Sequence, residues 1–147
     1  MRHCHATVPR LGGDSDAARD LSQPWLADAG AHAHPRALAA LRSEGVLIVG
    51  SGSWTHDLGR CRGQPIEAAA PADVDRFGDW MQDAALAGDT EALLAYRDCA
   101  PFATENHPSE EHLLPLFVAA GAGGGAAGQL HRSIEYGLLR MDAYAFG

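Results

Sequence analysis

The chain has 147 residues, of which 46% are hydrophobic and 20% charged, and its formal net charge is −8. That length and apolar content allow one folded domain with a buried core and exclude a chain disordered by composition. The acidic balance, with Lys and Arg scattered rather than blocked, excludes nucleic acid and an anionic membrane as the main partner.

Cys4, Cys61 and Cys99 are odd in number and contain no CxxC pair, so neither a disulfide framework nor a structural zinc knot is expected. A reducing cytoplasm is the expected compartment. Met1 to His5 leads into no apolar run, so no secretory signal is expected. The longest apolar tract, Leu113 to Gly128, is shorter than the roughly 20 residues a membrane helix needs.

Residues 1–33 are rich in Ala, Asp, Arg and Gly and lack strand alternation; they read as a poorly ordered extension with a faint helix at Ala17–Leu21. Residues 36–43 (RALAALRS) are good helix formers, stopped by Glu44-Gly45. Val46–Val49 is a continuous apolar run between glycines, the pattern of a strand buried on both faces in a parallel sheet. Residues 59–70 read as loop. Ala72–Leu86 places Val74, Phe77, Met81 and Ala84 on one helical face with Trp80 at its border. Gly88 ends that helix, and Asp89 is suited to cap the next one, Thr90–Asp98. Residues 100–106 read as loop. Pro108 suits the first turn of a helix whose N-terminus is favoured by Glu110 and Glu111, and Pro115 predicts a kink or two short helices between His112 and Ala120. Residues 121–128 read as a glycine-rich link, and Ile134–Phe146 as a terminal strand.

Two histidines stand out by position. His56 follows the apolar run and its Gly50-Ser51-Gly52-Ser53 turn, where an α/β sheet delivers reactive groups. A neutral imidazole there serves as a general base or a metal ligand; the alternative is a loop histidine that hydrogen-bonds the turn. His112, preceded by Glu110 and Glu111, suits Fe(II) or Zn(II), with a neighbouring carboxylate orienting it; the alternative is an ordinary surface histidine. His107 reads as a ligand or, beside Pro108, as an N-cap or turn residue. His3, His5, His32, His34 and His131 have no supporting context. The Gly-Ser turn lacks GxGxxG, the P-loop Lys and the GxSxG elbow, which argues against nucleotide binding and a serine hydrolase. Trp54 suits either stacking on an aromatic ligand or packing.

Glu44–Leu58 (EGVLIVGSGSWTHDL), then Phe77, Trp80, Tyr96, Ala100-Pro101, His107-Pro108, Glu111–Leu116 (EHLLPL) and Gly137–Gly147 (GLLRMDAYAFG) together resemble the C-terminal half of the class III extradiol ring-cleaving dioxygenases of the DOPA type. The resemblance spans about residues 34–147. It implies an α/β fold: part of an α/β/α sandwich with a central, mostly parallel sheet, helices on its faces and a C-terminal strand. It implies O₂-dependent opening of a catechol beside its hydroxyls at a mononuclear non-haem Fe(II) or Zn(II) centre. His56 would be a catalytic and metal-site residue, His112 a metal ligand, and Glu111 and His107 residues that orient them. Members are about twice this length and draw two further metal histidines from an N-terminal half that residues 1–33 do not match. A non-catalytic fragment, or a half-domain that self-associates or needs its missing half, is therefore the competing expectation. A zinc-dependent hydrolase using His56 and His112 is a weaker one.

Overall fold

The computed structural model describes residues 33–147. Residues 1–32 of the extension, its helix at Ala17–Leu21 and the residues His3, Cys4, His5 and His32 therefore lie outside the described residues, as does the side chain of His34.

Helix α1 (Ala33–Arg42) ends in a turn at Gly45, whose φ of +77° favours glycine. The Val46–Val49 run that follows pairs with no strand among the described residues. Leu47 and Val49 are 85% and 75% exposed, whereas Ile48 is half-buried. This corrects the expectation of a strand buried on both faces in a central parallel sheet. Helices α1 and α7 pack together under one side of the segment, and nothing among the described residues covers the other. Gly50 and Gly52 approach α7 so closely that a Cβ would collide with the carbonyl oxygens of Pro115 and His112. Ile48, Gly50 and Gly52 thus face in and Leu47 and Val49 face out, the period of an extended chain.

The stretch read as loop holds one short helix, α2 (Leu58–Cys61), whose N-terminus is capped by the Asp57 carboxylate. Helix α3 (Ala72–Ala87) buries Val74, Phe77, Met81 and Ala84, as the period-3.6 pattern predicts. Full burial of Phe77 and Met81 contributes about 2–3 kcal/mol each. Gly88, at φ +67°, closes the helix by donating to Ala84 and Ala85 carbonyls. Asp89 then caps α4 (Thr90–Leu94) through the Ala92 N–H at 3.0 Å. The single helix expected over 90–98 breaks at Ala95, and α5 (Tyr96–Cys99) restarts. The break turns Tyr96 into the core and lets Arg97 donate to the His107 carbonyl at 3.0 Å and pair with Glu110 at 3.2 Å.

Helix α6 (Ala103–Asn106) replaces part of the loop expected over 100–106. Residues 108–113 form turns rather than a helix, and α7 (Leu114–Gly123) begins with Pro115 in its first turn. Proline removes an N–H that has no partner there, so it starts the helix instead of kinking it. The helix runs through the expected link as far as Gly123. The C-terminal strand is also divided: β1 (Ala127–His131) pairs antiparallel with β4 (Ala143–Phe146), and β2 (Ile134–Glu135) pairs antiparallel with β3 (Leu139–Arg140). The consecutive positive φ values of Tyr136 (54°) and Gly137 (66°) reverse the chain between β2 and β3. The fold is thus mixed helix and strand, with small antiparallel sheets. Its core gathers Trp54, Phe77, Met81, Tyr96, Leu113 and Phe117.

Candidate active site

Ser53–His56 is fixed almost residue by residue. The Ser53 N–H donates to the His112 carbonyl at 2.8 Å, and the His56 N–H donates to the Asn106 carbonyl at 2.8 Å. Between them, the His107 Nε2–H donates to the Trp54 carbonyl at 2.7 Å. The Thr55 hydroxyl donates to the Leu138 carbonyl at 2.6 Å and accepts from the Arg140 N–H at 2.9 Å. Thr55, Asn106 and His107 are each at most 1% exposed, so these bonds form where water cannot replace them. The Asn106 amide in turn donates to the Asp73 and Phe102 carbonyls.

This clamp brings His56 and His112 together. Their rings stack with centroids 3.5 Å apart and planes 22° from parallel. Burial, and then the His112 ring, pull the His56 imidazole below its ordinary value near 6.5. His56 is therefore held neutral, with a lone pair available as a base or ligand. The half-exposed His112 Nε2 lies 3.6 Å from the Glu111 carboxylate. A hydrogen bond from the Ser109 hydroxyl at 2.8 Å holds Glu111 below the ordinary carboxylate range. Glu110 lies apart, paired with Arg97 and Tyr96.

His107 is fully buried, unlike His112. Its contact with a carbonyl fixes the Nε2–H tautomer. Burial holds it below 6.5 against the opposing backbone contacts of Trp54 and Ser109. The exposed His131 ring meets Ser133 Oγ at 2.9 Å. Trp54 is 4% exposed and packs on Tyr144 with centroids 4.6 Å apart, so it serves the core. Thr55 and Asn106 had no sequence signal beyond their places next to His56 and His107.

The donors present match a metal in kind and not in number. Imidazole and carboxylate suit Fe(II) or Zn(II), but among the described residues no three His, Cys, Asp or Glu side chains converge. Two imidazoles on one ion hold their centroids roughly 5 Å apart, given metal–nitrogen bonds of about 2.1 Å. The stacked rings at 3.5 Å would have to splay to share one.

Residues 32–147 match the family model described as the catalytic LigB subunit of aromatic ring-opening dioxygenase. Over 114 residues the chain is 39% identical to a 4,5-DOPA dioxygenase extradiol of Portulaca grandiflora, covering 76% of this chain and 41% of the relative. The Beta vulgaris protein of the same description is 38% identical over 115 residues, with the same coverages. An uncharacterized Escherichia coli K12 protein of known structure superposes with a TM-score of 0.67 at 30% identity, covering 80% of this chain and 50% of that one. The chain thus spans less than half the length of the curated relatives it matches. On the family match over residues 32–147, this chain belongs to the LigB family of aromatic ring-opening dioxygenases.

Proposed function

We propose that the chain supplies one half of an extradiol dioxygenase site, where O₂ opens a catechol of the DOPA type beside its hydroxyls. The observation that carries this reading is the stacked His56–His112 pair within a family-matched chain. His112 is the metal ligand this chain contributes to a mononuclear Fe(II) or Zn(II) centre, and His56 stands beside it as ligand or base. A metal with open positions would provide the place where catecholate and O₂ meet. The remaining donors come from outside the described residues.

His56 has the means to take a proton from a catechol hydroxyl. It is neutral, and its backbone is fixed by Asn106 and by the bonds on Trp54 and Thr55. His107 positions it through the Trp54 carbonyl, and Glu111 orients His112 from the solvent side. The two atoms of O₂ enter the product as one carbon–carbon bond breaks, so no external reductant is required. No helix among the described residues is long and apolar enough to cross a membrane, and the reading assigns the chain to a reducing cytoplasm.

The test is oxygen uptake. Chain loaded anaerobically with Fe(II) and given a catechol should, on admission of O₂, consume it and form a yellow semialdehyde once the donor set is completed. A folded, metal-loaded, completed sample that takes up no O₂ would remove the activity.

A further inference from the structure

The His112 ring is half-exposed, so burial does not set its direction. The Glu111 carboxylate 3.6 Å from it is more exposed still, and a solvated pair of that kind holds little on its own. The ring therefore inherits its direction from the turns at 108–113 that carry it. The ends of this stretch are tied by the His107 ring to the Trp54 carbonyl and by the Ser53 N–H to the His112 carbonyl. Its middle hangs on Glu110, whose carbonyl accepts from the Leu113 N–H at 2.9 Å and the Leu114 N–H at 3.2 Å. The Glu110 carboxylate is gripped from α5. Arg97 Nε lies 3.2 Å from its Oε1, and the Tyr96 hydroxyl donates to the same oxygen at 3.4 Å. Arg97 Nη1 donates to the His107 carbonyl at 3.0 Å. One guanidinium thus holds residues 107 and 110 at a fixed separation.

Stability alone gives little reason for this arrangement. The Arg97 and Glu110 side chains are 32% and 27% exposed, so water screens their attraction. The helix that carries Arg97 is interrupted at Ala95, where α4 ends and α5 restarts, although the sequence over 90–98 has the pattern of one helix. The interruption aims Arg97 at the turn. A planar guanidinium carries donors in fixed directions and can fix two acceptors at once, which the point charge of a lysine does not do. The residue type and its two contacts therefore suit the setting of an angle better than the holding of a fold.

We infer that Arg97 is a positioning residue for His112: its guanidinium fixes the span from His107 to Glu110, and that span sets the angle at which the His112 ring meets His56. Tyr96 assists by holding the Glu110 oxygen that Arg97 uses. The inference rests on the reading above only where it calls His112 a metal ligand.

The experiment reads the contact between the His56 and His112 rings as a nuclear Overhauser cross-peak in the metal-free chain. Arg97→Met keeps the aliphatic stem and deletes both contacts, so the chain should fold and lose the cross-peak. Leu93→Val trims one buried methylene from α4 and touches none of these bonds, so it should keep the cross-peak. Arg97→Lys serves one acceptor at a time; its cross-peak should weaken while its urea midpoint stays near the parent's. A cross-peak at full strength in Arg97→Met or in Arg97→Lys overturns the inference. Its loss in Leu93→Val does so too, since any loosening of the fold would then part the rings. In a completed, metal-loaded sample, Arg97→Met should also weaken metal binding by about 10-fold or more, the usual effect of losing a residue that orients a ligand. Parted rings with unchanged metal binding would sink His112 as a ligand and leave the role of Arg97 intact. Metal binding that needs His112, with rings indifferent to Arg97, would do the reverse.

Discussion

Replacing Thr55 by Val removes one hydroxyl and nearly nothing else, and it tests the clamp that sets His56. Thr55 is 1% exposed, and its Oγ1 serves the Leu138 carbonyl at 2.6 Å and the Arg140 N–H at 2.9 Å. Valine has the same shape, so the cost is that of two buried backbone groups left without partners. At about 1–3 kcal/mol for each unsatisfied group, the loss is about 2–6 kcal/mol. That is a large part of the roughly 5–15 kcal/mol expected for a domain. Thr55→Ser keeps the hydroxyl and deletes one methyl, a loss of about 1 kcal/mol. Urea unfolding should therefore show a far lower midpoint for Val than for Ser, at unchanged m-value. Equal midpoints, or a Val variant within about 0.5 kcal/mol of the parent, would show that these bonds do not hold the segment.

Gly52→Ala places a Cβ against the His112 carbonyl and near Pro115, so the segment must lift from α7. A destabilisation of about 1–3 kcal/mol is expected, with loss of the contact between the His56 and His112 rings in nuclear Overhauser spectra. His107 makes stability depend on pH. Its folded pKa lies below the unfolded value near 6.5, so the unfolded chain binds more protons between the two. Stability should be full above 6.5 and fall as the pH drops through that window, and His107→Gln should flatten the slope in denaturant midpoints taken from pH 7.5 to 5. In the completed sample, His112→Ala should weaken metal binding by well over about 10-fold by calorimetric titration, because it deletes a direct ligand.

Much of the helical half is readable from local pattern. Val74, Phe77, Met81 and Ala84 fall at helical spacing and all are buried; Gly88 and Asp89 end one helix and start the next by their own chemistry. The two histidine motifs also sufficed to single out His56 and His112, which the fold stacks. What local pattern missed depends on distant contacts. An apolar run such as Val46–Val49 predicts a strand, but a strand becomes part of a sheet only when neighbours pair with it. Pro115 is compatible with a kink and with a helix start, and turns at 108–113 decided for the start. The break at Ala95 is rewarded by Tyr96 and Arg97 reaching partners elsewhere. His107 looked like a turn residue because its partner, the Trp54 carbonyl, lies 53 residues away in sequence.

The central claim is that His56 and His112 share one site in this chain, and a proton NMR titration of the histidine rings tests it without metal or substrate. With His112 in place, His56 should titrate below 6.5, because burial and the neighbouring ring both oppose its charge. In His112→Ala both influences weaken, and the His56 titration should move up toward the ordinary value. A His56 titration that is the same in both proteins would mean that the rings do not meet.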